Sequence, residues 1–222
     1  MLSCGNVGKT YPTERGDVDA VKGIDLEVPR GQFAAIVGRS GSGKSSLMAM
    51  IGGLSRPTRG AVRVEDTDIW ALPDDRLAQF RNREIGFVFQ FASLLPTLRI
   101  IDNVALPALL GRPRETKAAY RTAAELLGQL GLSEYIDAYP SEISSGEQRR
   151  AVIARALINA PSLLLADEPT SDLDEPTEIH IMDQLRDLNR DRGMTLIMVT
   201  HNLRLAEQSD RVLHIANGSL VS

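Results

Sequence analysis

The chain has 222 residues, 43% of them hydrophobic and 24% charged, which fits one large domain or a core carrying one insertion. Lys and Arg number 25 against 29 Asp and Glu, and this net charge of −4 argues against a general nucleic-acid binder, because phosphate backbones select basic surfaces. A single cysteine, Cys4, excludes an internal disulfide framework and a cysteine-only zinc cage, and no apolar run reaches the ~18 residues of a membrane span.

Met1 to Gly5 show neither a charged n-region nor an apolar h-region, so the sequence reads as a soluble, cytosolic protein that meets a membrane only through a partner. Ile24–Val28 and Ala61–Glu65 alternate apolar and polar residues, the pattern of half-exposed antiparallel strands, with a turn signal at Arg56–Gly60 between them. Phe33–Val37, Leu163–Ala166 and Thr195–Thr200 are short runs apolar on both faces, as buried parallel strands are. Ala118–Leu130 and Thr177–Asn189 are amphipathic helical stretches, and from Phe91 to Leu157 no strand is evident. The predicted fold is therefore α/β, with a parallel-sheet core (1–90 and 158–222), an antiparallel β piece near the N-terminus and a helical insertion (91–157).

Gly38-Arg39-Ser40-Gly41-Ser42-Gly43-Lys44-Ser45 matches G-x-x-x-x-G-K-[ST] and lies between an apolar strand and the helix beginning Ser46-Leu47. The glycines let backbone N–H groups point at phosphate oxygens, and the helix N-terminus adds partial positive charge. Lys44 is placed to reach the β- and γ-phosphates and Ser45 to ligate Mg²⁺. Asp167 and Glu168 end a second apolar strand. Asp167 arrives at the carboxyl edge of the sheet, where it can hold the metal through water. Glu168 points elsewhere and can polarise an attacking water. The phosphate loop alone leaves kinase, GTPase, helicase and transporter ATPase open.

The segment Asp167-Glu168-Pro169-Thr170-Ser171-Asp172-Leu173-Asp174, followed by Val199-Thr200-His201, resembles the ATP-binding subunits of ABC transporters over nearly the whole chain. That resemblance implies a P-loop NTPase core with an inserted helical subdomain. It assigns Gln90 in Gly86-Phe87-Val88-Phe89-Gln90 as a catalytic and metal-contacting residue, and Ile143-Ser144-Ser145-Gly146-Glu147-Gln148 as the signature segment. It makes His201 the γ-phosphate sensor and Tyr11 the aromatic group that stacks on adenine. Gly38, Ser40, Gly41, Gly43, Lys44, Ser45 and Ser46 become nucleotide contacts, joined by Ser144, Ser145, Gly146 and Asp174. The implied cofactors are ATP and Mg²⁺. The implied partners are a second copy, closed head to tail around two ATP, and an integral membrane permease that holds the subunit on the inner face of the membrane. Phe89-Gln90, Leu94–Leu98 and Asp102-Asn103-Val104 look like the macrolide-exporter, lipoprotein-release and FtsE-like subgroup. Members of that subgroup either move cargo or act as regulatory ATPases on a membrane or cell-wall partner, and no residue separates the two.

Ser144-Ser145-Gly146-Glu147 is also a capping box that would open a helix over Gln148–Leu157 without any nucleotide. The sequence departs from the family at Ile143 for Leu, at Ser145 for Gly and at Arg99 for the subgroup's Thr. Ser145 puts a Cβ and a hydroxyl where backbone approaches phosphate, so ATP binding is expected to persist with hydrolysis reduced or unchanged. Arg149-Arg150 reads as a solvated helix face or local ion pair, and Arg112-Pro113-Arg114 as a loop. Trp70 and Cys4 have no constellation around them, His180 and His214 show no metal-ligand spacing, and Met48 and Met50 fit core packing on the first helix.

Overall fold

The computed structural model describes residues 1–14, 16–91, 93–111, 115–171 and 173–221. Arg112-Pro113-Arg114, expected as a loop, and Asp172 fall outside these. Two sheets form. In the antiparallel one, β1 (Leu2–Tyr11) lies between β2 (Val18–Val28) and β4 (Arg59–Val64), and β5 (Thr67–Asp68) continues from β4. In the other, β3 (Phe33–Val37), β7 (Leu163–Asp167), β8 (Thr195–Thr200) and β6 (Ile85–Val88) run parallel. The hairpin β9 (Arg211–Ala216) and β10 (Ser219–Val221) extends its far edge, giving the order β10-β9-β3-β8-β7-β6. The expected turn at Arg56–Gly60 is therefore shorter, since Arg59 and Gly60 already belong to β4.

The pleat divides the interior. Phe33, Ala35, Val37, Leu164, Ala166, Leu196 and Met198 face one core, and Ala34, Ile36, Leu163, Leu165, Ile197 and Val199 face the other. The first core holds the helical segment: α3 (Ile100–Gly111), α4 (Thr116–Gln129) and α5 (Ser145–Leu157), together with α6 (Glu175–Arg192). The second is filled by α1 (Lys44–Ile51), by the inner face of the antiparallel sheet and by Leu77 of α2 (Asp74–Glu84). Met48 and Met50 lie there, as their spacing suggests. Every residue of β3 and β8 is buried, and truncating one of their large side chains to Ala removes packing worth about 2–5 kcal/mol. The short α7 (Leu203–Ala206) follows β8.

Among the described residues of 91–157 there is no strand. Arg99, at the departure from the subgroup pattern, has a local role. Its guanidinium donates to both oxygens of Asp102 (2.8 and 3.2 Å) and to Asp137 (2.7 Å), tying the start of α3 to the turn after α4. Tyr120 of α4 donates to the same Asp102 (2.9 Å), so the Asp102 carboxyl sits below the ordinary carboxylate range, chiefly because of Arg99.

Candidate nucleotide site

Register alone brings the phosphate loop and both acidic residues to one edge. Val37 pairs with Thr200, Asp167 with Val199, and Val88 with Ala166, so β3, β6, β7 and β8 all end together at the carboxyl side. The loop 38–43 leaves β3 there and winds directly into α1, which begins at Lys44, two residues before the expected start. Its shape depends on glycine at two positions. Gly43 has φ +103°, and a Cβ there would strike the carbonyl of Ala20; a Cβ on Gly38 would strike the carbonyl of Ile215 and Ser42 Oγ. The β9–β10 turn braces the loop, with Gly218 N donating to Ser42 O (3.0 Å). That support comes from the C-terminal hairpin, which sequence reasoning missed.

Lys44 is buried, and its Nζ donates to the carbonyls of Gly38 (2.7 Å) and Arg39 (3.1 Å). The ammonium is thereby held over the inside of the loop. Asp167 follows the parity of Leu163 and Leu165 and so faces α1, where the Ser45 hydroxyl meets its carboxylate. Burial, followed by the neighbouring Glu168, pushes the Asp167 carboxyl above its ordinary range; Ser45 and Lys44 oppose that shift.

Glu168 takes the opposite face and lies at φ +46°, off the strand path. Three contacts hold it: its N–H donates to Val199 O (2.9 Å), Thr200 Oγ1 donates to its Oε2 (3.3 Å), and His201 Nδ1 lies 2.8 Å from its Oε1. Adjacent acids thus diverge because the pleat sends one to α1 and the other to the end of β8. Thr200 was not singled out from sequence, although it precedes His201 and shares the face of Leu196 and Met198. The His201 ring is 73% exposed, so its other edge remains open toward solvent.

Tyr11, at the end of β1, is 38% exposed and lies beside α1. The Ser46 hydroxyl, its strongest neighbour, lowers the phenol's pKa from the ordinary value. Lys9 Nζ sits 5.0 Å from the ring centroid, over one face. Gln90 leaves β6 at the same edge as Asp167 with its side chain exposed.

The remaining nucleotide candidates gather elsewhere in the chain. Ser144 is the N-cap of α5, with Glu147 N donating to Ser144 Oγ (3.3 Å) and Ser144 N donating to Glu147 Oε2 (2.7 Å). The capping box forms as expected, but the helix starts at Ser145, three residues earlier than Gln148. Ser145 is exposed in helical backbone, and Gly146 packs against Thr177 of α6. Thr177 in turn holds the Asp174 carboxyl below its ordinary range at the start of α6. Among the described residues no hydrogen bond or ion pair joins Ser144–Gly146 or Asp174 to residues 38–46 of the same chain.

The solvated-face reading of Arg149 is overturned: the residue is 5% exposed and donates to the carbonyls of Phe89 and Gln90, each at 2.6 Å. It lies one turn into α5, on the side that packs against β6, where the loop after that strand offers carbonyl acceptors. Trp70, set aside from sequence, has structural partners: its Nε1 donates to Met50 O (3.0 Å), and Arg56 lies 5.2 Å from its ring.

A strand–glycine loop–helix cradle, with Ser45 beside Asp167 and Glu168 paired with His201 at one sheet edge, defines a phosphate-loop nucleotide-binding protein. A family profile described as ABC transporter matches residues 21–171. The lipoprotein-releasing system ATP-binding protein LolD of Geobacter metallireducens is 44% identical over 222 residues, covering 100% of this chain and 98% of that protein. The LolD of Nitratidesulfovibrio vulgaris is 46% identical over 215 residues, 96% of this chain and 91% of its own length. Two dimeric structures of the ATP-binding cassette MJ0796, one in a post-hydrolysis state with ADP and Pi, superpose with TM-scores of 0.92 at 36% identity, covering 100% of this chain and 97% of theirs. The chain belongs to the ABC transporter family and is one of its ATP-binding, ATP-hydrolysing cassettes.

Proposed function

We propose that two copies of the chain close head to tail around two ATP molecules and drive a membrane permease in lipoprotein release or a closely related export. In each site one copy contributes Gly38, Ser40, Gly41, Gly43, Lys44, Ser45 and Ser46 around the phosphates, and Tyr11 against adenine. The other contributes Ser144, Ser145 and Gly146, with Asp174 beside them. The observation that carries this reading is the separation within one chain. The Lys44–Ser45–Asp167–Glu168–His201 group is assembled, while the capped start of α5 stands apart with N–H groups suited to an anion. Such a half-site needs a second chain. The dimeric MJ0796 cassettes and the LolD relatives support the pairing and the lipoprotein assignment.

Glu168, fixed by Thr200 and His201, accepts the proton of the attacking water, and His201 presents its open edge to the γ-phosphate. Ser45 and Gln90, with Asp167 through water, offer the hard oxygen donors that suit Mg²⁺. The metal, when bound with ATP, neutralises charge on the phosphate oxygens. The core at 1–90 and 158–222 carries the catalytic edge, and the helical subdomain at 91–157 carries the signature and the permease contact. A groove of about 1190 Å³ lined by apolar Leu72, Phe80 and Leu110 and by polar Arg76, Arg83 and Glu115 suits a cytoplasmic helix of the permease, and Phe89 and Phe91 are exposed in the Gln90 segment. No described helix is long and apolar enough to cross a membrane, so attachment at the inner face would come through that permease.

The test is the solution mass of Glu168→Gln with and without ATP. Loss of the water-polarising carboxylate should trap the closed pair, so ATP should double the mass. A variant that binds ATP and stays monomeric would overturn closure by two copies of this chain alone.

A further inference from the structure

We infer that Arg149 is a positioning residue that fastens the Gln90 loop to the signature helix, so that the start of α5 and Gln90 move together. The inference rests on the proposed roles of Gln90 and of Ser144–Gly146, and it extends them to a residue that neither assigns.

Arg149 lies a little over one turn from Ser144. A guanidinium with 5% exposure needs partners, and here its two terminal nitrogens take consecutive main-chain carbonyls, those of Phe89 and Gln90, at 2.6 Å each. A planar fork suits two acceptors in a row; a lysine ammonium, a single point of charge, fits them less well. Further along α5, Arg155 donates to Ser93 O and Ser93 Oγ, both at 2.6 Å, so one helix grips the loop at both of its ends. The loop leaves β6 beside Ala166, one residue before Asp167, and Phe89 stacks on Phe87 with centroids 5.1 Å apart.

These contacts hold the carbonyls of Phe89, Gln90 and Ser93, and Gln90 itself stays exposed. The arrangement sets where Gln90 begins its reach toward the metal and phosphate, and ties that origin to the helix whose N-terminus meets the other nucleotide. In a head-to-tail pair, Arg149 then joins the two sites through one rigid element.

The experiment uses the full chain as wild type, Arg149→Lys, Arg149→Met, Gln90→Ala and the double variant Arg149→Met/Gln90→Ala. Steady-state ATP hydrolysis is titrated with Mg²⁺, and amide hydrogen exchange is followed over residues 89–93. Arg149→Met should lower kcat by about 10- to 100-fold and raise the Mg²⁺ needed for half-saturation, with the KM for ATP changed about twofold or less. Arg149→Lys should recover part of the rate, exchange over 89–93 should quicken, and in the Gln90→Ala background the Arg149→Met change should add little. Multiplying losses with an unmoved Mg²⁺ requirement, or unchanged exchange, would overturn the inference. If Gln90→Ala alone behaves as wild type, the reading of Gln90 fails, and the exchange data still decide whether Arg149 holds the loop. Should Arg149→Met fail to fold, Arg149→Lys carries both readouts.

Discussion

The two ends of the proposed composite site are built on opposite plans. At the carboxyl edge of the parallel sheet, Lys44 is tied to loop carbonyls, Glu168 to Thr200 and His201, and the loop itself to Gly218, while Ser45 lies beside Asp167. The start of α5 is tied mainly to itself, through Ser144 and Glu147, and shows Ser145 to solvent. Electrostatic preorganisation accounts for the difference. Groups that meet developing charge gain from being fixed before reaction, whereas a surface that must dock on a second chain has to remain accessible.

Substitutions break this contrast by unequal amounts. Asp167→Asn should act most strongly and in two directions. Hydrolysis should collapse, because a metal contact contributes several kcal/mol of charge stabilisation to the transition state. The nucleotide-free protein should nevertheless become more stable at neutral pH. Burial and Glu168 raise the Asp167 pKa in the folded state, so the fold binds this proton more tightly than the unfolded chain does. That contribution to stability is complete below the ordinary value of 3.8 and is lost as pH rises through the higher folded value. Urea midpoints of wild type and variant across that range should therefore diverge as pH rises, with the Asn variant ahead at pH 7.

Gly43→Ala comes next. It places a Cβ at φ +103° against the Ala20 carbonyl, which costs about 1–3 kcal/mol in backbone strain before any displacement of β2. Urea unfolding should show the loss, and a fluorescent ATP analogue should bind more weakly. Wild-type binding by a correctly folded variant would show that the loop shape is less exacting than its contacts imply.

Ser144→Ala should cost about 1 kcal/mol, the usual value of an N-cap, because the side-chain acceptor for Glu147 N disappears. Its thermal unfolding should shift modestly while ATP binding to the monomer stays unchanged, since the phosphate loop lies elsewhere.

Ser145→Gly is the smallest in stability, about 0.5 kcal/mol or less because Ser145 is the first residue of α5 and serine is itself a weaker helix former than alanine, and it sharpens the comparison most directly. Turnover should stay the same or rise modestly. A large rise would mean that the serine side chain obstructs closure on the partner's nucleotide.

Much of the candidate nucleotide edge was legible in the sequence because its signals are local. The phosphate loop, the apolar runs at 33–37, 163–166 and 195–200, and the Ser144–Glu147 box each express a preference of contiguous residues. Even the divergence of Asp167 and Glu168 follows from strand alternation. Strand β1, whose pairing depends on distant partners, went unread, as did the β9–β10 hairpin that braces the phosphate loop. Arg149 shows the limit best. Within its helix it is one of two adjacent cations, and nothing local separates a solvated charge from a buried one.

The sequence by itself thus determined which residues make up the candidate site and the strand ends on which they stand, since periodicity and turn chemistry act over a few residues. Only the tertiary structure decided which side chains meet. It set Thr200 and His201 against Glu168, brought Ser45 to Asp167, and buried Arg149 on the carbonyls of a loop some 60 residues away in the chain. Those pairings depend on long-range packing and on the free energy of burying charge, which contiguous residues do not encode.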